Sequence, residues 1–181
     1  MLFRSYMNFA SQVAALQSGV IDGTIMIEPY LSQVTASGAA VNVAPTEDFY
    51  PAAEVSLLLY GDKFIKQRPE VATRFMKAFL RGVRDFSDAI EKGRWKNDAN
   101  AGEIIRIFAK GVNMPEATIR AMTPQYPDPD GKLNMTSLAM DLAHFKMTGE
   151  VQDPKITADM IVDESFAAKA ARELRPYNRK N

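Results

Sequence analysis

Apolar positions change their period along the chain. Phe9, Val13 and Leu16 recur every three to four residues, with Ala10, Ala14 and Ala15 filling the turns. That spacing predicts a helix, with Asn8 as its N-cap and Gly19 just past its end. Gly19–Gly23 is a tight connection. Thr24–Ile27 is then a short, β-branched run of the kind that forms a buried strand. Pro29 suits the first position of a next helix, Tyr30–Ser37, which Gly38 ends. Ala40–Ala44 reads as a second short strand. The order α-β-α-β is the rhythm of an α/β sheet. After a polar, Pro-bounded turn at Pro45–Pro51, Glu54–Tyr60 reads as a strand. Its alternation puts Glu54 and Ser56 on one side and Val55, Leu57 and Leu59 on the other.

Beyond Gly61 the period becomes helical. Pro69 opens a long helix with Val71, Phe75, Phe79, Val83, Phe86 and Ile90 on one stripe, and Gly93 is expected to end it. Ile104, Ile105 and Phe108 mark a shorter helix, and Pro115 opens another to about Met122. Thr123–Gly131 is dense in turn residues. Asn134 is expected to cap a helix to about Met147, with Met135, Leu138, Leu142 and Phe145 inward. Thr157–Leu174 reads as one or two helices.

Composition narrows the function classes. The 181 residues hold 22 Lys+Arg and 22 Asp+Glu, a formal charge of +0. Phosphate-backbone binding needs a basic surplus, so nucleic acid is not the expected partner. The absence of Cys removes disulfides, thiolate metal sites and a thiol nucleophile. The single His, His144, removes any site that needs two imidazoles. Met1–Ala10 lacks the apolar run and small-residue cleavage site of a signal peptide. No stretch approaches the roughly 18–20 apolar residues of a membrane span.

Most candidate chemistry is poorly supported. His144 lies off the apolar stripe of its helix, and no G-x-S-x-G elbow is present. Asp128–Gly131, DPDG, has Lys132 where a calcium loop wants an oxygen ligand, so it reads as a turn. Neither common phosphate-binding glycine motif occurs. Arg81–Arg84 and Arg172–Lys180 read as solvated faces. Trp95 is expected to pack over a helix end. No metal site, cofactor or catalytic group is expected. Glu28-Pro29-Tyr30 remains, where a strand gives way to a helix. Ligands of open α/β sheets bind outside the carboxyl ends of strands. Glu28 would accept a ligand hydrogen bond and Tyr30 would stack or donate. Equally, Glu28 would cap the helix and Tyr30 would pack.

Val13–Tyr30, VAALQSGVIDGTIMIEPY, resembles substrate-binding proteins of ABC importers in the nitrate/sulfonate/taurine group, which includes binders of thiamine pyrimidine precursors. Ala53–Phe86, Tyr126–Val151 and Ile161–Tyr177 resemble later stretches of the same family in the same order. The resemblance implies part of a type II periplasmic-binding-protein fold, in which two α/β lobes close on a ligand about a hinge, with a helix-rich C-terminal half. Residues 1–49 would be the remainder of the second lobe, 50–61 the crossover, and 62–181 the C-terminal helical part of the first lobe. Family members capture a small organic or oxoanion solute without catalysis and deliver it to a membrane permease from an extracytoplasmic or periplasmic location. The residues assigned to ligand are Glu28, Pro29 and Tyr30, then Glu54 and Ser56, and Tyr50 more weakly. Two acids favour a ligand with N–H or cationic groups. Against the family's length, the chain is expected to be a C-terminal portion, with exposed apolar surface that promotes self-association. Two alternatives stand beside this reading. One is an enzyme, a pyrimidine-precursor synthase relative of the same fold. The other is a helical interaction module made from Pro69–Leu174.

Overall fold

The computed structural model describes residues 6–125 and 127–178. Tyr126, the end of the basic cluster at Arg179 and Lys180, and the first residues of the Met1–Ala10 segment lie outside that range. The chain divides into two compact units, each made of two stretches. Residues 62–181, expected to form one body, contribute to both units.

The first unit comprises Met1–Pro45 and Asp88–Gln125. Helix α1 is Phe9–Gln17, capped by Asn8 Oδ1, which accepts from the Ser11 N–H at 2.9 Å. Gly19 follows at φ +70°, where only a residue without Cβ sits at ease. Helix α2 is Tyr30–Ala36, with Pro29 at its cap position rather than its first turn. Strands β1, Ile90–Glu91, and β2, Arg94–Trp95, pair antiparallel with Ile90 opposite Trp95. Lys92 and Gly93 between them both have positive φ, as a two-residue hairpin turn that follows strand twist requires. Gly93 therefore turns a hairpin and does not end the long helix. Helices α5, Ala99–Val112, and α6, Glu116–Ala121, complete the unit. Val34, Ile90, Ile105 and Ile119 are its fully buried aliphatic side chains. The Trp95 indole N–H donates to the Ile119 carbonyl at 2.8 Å, so Trp95 closes over the end of α6 as expected.

The second unit comprises Thr46–Ser87 and Tyr126–Asn181. A 3₁₀ turn at Thr46–Asp48 precedes α3, Asp62–Gln67, and the long α4, Pro69–Asp88. Helix α7, Met135–Met147, is capped by Asn134 as expected, and α8, Ala158–Ile161, and α9, Ser165–Leu174, follow. The buried face of α4 is Ala72, Thr73, Leu80, Val83 and Ser87. Val71, Phe75 and Phe79, expected inward, are exposed. On α7, Leu142 is buried as expected, whereas Phe145, also expected inward, is exposed. The inward face of α4 is chosen by close approach. Gly131, at φ +75°, lies so near Leu80 and Ala167 that a Cβ there would sit 3.1 Å from each. Leu80, not the phenylalanines, is the α4 residue at that contact.

The sheet is the main departure from expectation. Thr24–Ile27, Ala40–Ala44 and Glu54–Tyr60 form no ladder, and β1 with β2 is the only pairing among the described residues. The chain is helix-rich with little sheet. A strand exists only where a neighbour completes its backbone hydrogen bonds, and these runs find none. Their side chains stay in solvent: Ile25 is 72 %, Val41 82 %, Val43 92 % and Leu59 83 % exposed.

Candidate functional site

The expected ligand residues fall in two groups, one in each unit. Glu28, half-buried, precedes α2. Its Oε2 accepts the Ser32 N–H at 3.0 Å, and its Oε1 accepts the Ser32 hydroxyl at 3.0 Å and the Thr123 N–H at 3.2 Å. Glu28 thus does the capping that Pro29 cannot do, and ties α2 to the segment after α6. A carboxylate has about four acceptor positions, so three are engaged here. Pro29 is buried. The Tyr30 ring stacks on Phe9, with centroids 5.8 Å apart and planes at 24°. These contacts match the packing alternative for Glu28 and Tyr30.

Tyr50, Glu54 and the start of α7 form the second group. The Tyr50 hydroxyl donates to Asp141 Oδ1 at 2.7 Å and lies 3.2 Å from Ser137 Oγ. Buried Ser137 also accepts the Glu54 N–H at 2.8 Å. Glu54 Oε2 in turn accepts the Asn134 N–H at 2.8 Å, and the Asn134 amide donates to the Ala52 carbonyl at 2.7 Å. The segment from Tyr50 to Glu54 is therefore laced to the N-terminal turns of α7. The Ser137 hydroxyl bond favours the tyrosinate. The Asp141 hydrogen bond, partial burial and the Asp141 charge outweigh it and hold Tyr50 above the ordinary tyrosine range. Ser56 is exposed and joins none of these bonds.

Ser137 and Asp141 gave no signal in the sequence, because their meaning depends on Tyr50 arriving from far along the chain. Asn134 did, as a cap. His144 is exposed, as its place off the apolar stripe implied. Among the described residues no cluster of acids and His could hold a metal ion. No helix among them is long and apolar enough to cross a membrane.

With this geometry in view, comparison with known proteins gives one match. Residues 5–90 match the NMT1/THI5-like family. That is the nitrate/sulfonate/taurine and thiamine-precursor group that the Val13–Tyr30 and Ala53–Phe86 motifs resemble. The NMT1/THI5-like stretch contains Glu28, Pro29, Tyr30, Tyr50, Glu54 and Ser56, whereas the later motifs lie beyond it. No curated protein and no solved structure matches the chain.

Proposed function

We propose that the chain is part of a solute-binding protein of an ABC importer, with a type II periplasmic-binding architecture in the whole protein and no catalytic role. The observation that carries this reading is the NMT1/THI5-like match over residues 5–90, which spans every candidate ligand residue. The permease partner and an extracytoplasmic location come with that family reading.

The side chains narrow the solute. Glu28 keeps one acceptor position, and Glu54 Oε1 takes part in none of the bonds described above. Tyr30 offers a ring edge beside Phe9. Within the first unit, the Glu28 acceptor and the Tyr30 ring suit a small, flat organic molecule with N–H donors better than a bare oxoanion. A thermal-shift series with aminopyrimidines, taurine, nitrate and simple amines tests this. A ligand at about 100 times its Kd should add about 2.7 kcal/mol of stability. The expected order places aminopyrimidines and amines above nitrate. No shift with any of them would end the solute-binding reading.

A further inference from the structure

The Asp128–Gly131 loop invites comparison with a cation site, yet its carboxylates are already engaged within the protein. Asp128 Oδ1 accepts the Asp130 N–H at 2.8 Å and the Lys132 N–H at 3.2 Å. Asp130 Oδ1 pairs with Arg84 Nη2 at 2.6 Å and accepts the Tyr177 N–H at 3.2 Å. Arg84 also donates to the Pro129 carbonyl at 3.0 Å and to the Arg175 carbonyl at 2.9 Å. Gly131 seats the loop on Leu80 and Ala167. The result is a braced loop, with one oxygen of each carboxylate engaged within the protein.

That loop forms one wall of a half-open cleft of about 410 Å³, and α9 forms the other. The volume is in the range of small-molecule pockets, about 300–1,000 Å³. Ala167, Ala168 and Ala171 give it an apolar floor. Lys132 and Arg172 stand at its sides, both exposed. Neither side chain joins an ion pair among the described residues. Glu164 also lines the cleft, but its Oε1 accepts the Leu133 N–H at 3.3 Å. With Asp130 neutralised by Arg84, the uncompensated charge at the sides is mainly positive.

We infer that this cleft is a second ligand site, which takes a small organic anion: one carboxylate between Lys132 and Arg172, and a short hydrocarbon body over the alanine floor. Arg172 can hold a carboxylate through two parallel N–H donors, and Lys132 adds a point charge. The site lies wholly within the second unit and stands independently of the solute-binding reading above.

Hexanoate is the probe, and hexanol its uncharged twin. Isothermal titration of the full chain should show saturable hexanoate binding at about millimolar strength. A Lys132→Gln/Arg172→Gln double variant, with unchanged circular dichroism, should bind at least about tenfold more weakly, since charged hydrogen bonds would be lost. Glu164→Gln should bind more tightly, because it removes the opposing charge. Lys110→Gln, in the first unit, should bind as the parent does. No saturation, equal binding of hexanol, or parent-like binding by the double variant would overturn the assignment.

Discussion

At the residue scale, the candidate ligand side chains double as local fasteners, and that gives them measurable structural weight. Glu28→Ala leaves the Ser32 and Thr123 donors without their acceptor. Loss of hydrogen bonds to a charged group should lower stability by about 1–3 kcal/mol, read as a lower urea midpoint at unchanged slope. Glu28→Gln should cost less. Gly131→Ala forces a Cβ against Leu80 and Ala167 at positive φ and should lower stability by at least about 1 kcal/mol. Tyr50 predicts a pH effect. Its raised pKa means that the folded state favours the neutral phenol. Its contribution is therefore full below the ordinary value of about 10 and is lost as pH rises through the folded value. Tyr50→Phe should flatten the alkaline fall in stability. A smaller slope should remain from Tyr60, which burial also raises.

What could be read from sequence at this scale follows distance along the chain. Asn8 and Asn134 are caps whose partners lie three residues away, so their roles were legible. Glu28 meets Thr123 across 95 residues and Tyr50 meets Asp141 across 91, which no local pattern encodes.

At the scale of elements, helices were legible and strands were not. A helix completes its own hydrogen bonds, so spacing and caps suffice to place α1, α5, α6 and α7. A strand borrows its bonds from a neighbour, and apolar, β-branched composition at Thr24–Ile27 or Ala40–Ala44 supplies none. The inward face of α4 is legible only in part: Val83 of the expected stripe is buried, but Val71, Phe75 and Phe79 are exposed. Periodicity marks an apolar stripe but does not say which stripe is covered when two exist. Leu80→Ala should therefore cost about 2–5 kcal/mol, whereas Phe75→Ala, half-exposed, should cost much less. Denaturant melts of the two variants give the comparison. The start of α9 adds an acid-side effect. Asp163 Oδ1 accepts the Ser165 N–H at 2.9 Å, and its bonds to the Ser165 hydroxyl and N–H lower its pKa. That support is present above the ordinary carboxylate value and fades as pH falls through the folded one.

At the scale of the whole molecule, apolar surface and charge act together. Val41, Val43, Val55 and Leu59 stand in solvent beside unpaired backbone, and Phe75 and Phe79 are exposed on α4. A formal charge of +0 supplies no net repulsion between copies. We expect concentration-dependent association, visible as a rising mean mass in sedimentation velocity. Val43→Lys with Leu59→Lys should reduce it while leaving the urea midpoint nearly unchanged. A monomer at every concentration would argue that these runs are covered within one chain.

The solute-binding proposal rests on the NMT1/THI5-like match over residues 5–90. Equilibrium dialysis of a labelled aminopyrimidine against the chain, with Tyr30→Ala and Glu28→Gln beside it, is decisive. Saturable binding of about one equivalent, weakened by either substitution at preserved circular dichroism, is the expected result. Absence of saturable binding, or equal binding by both variants, would place the function elsewhere.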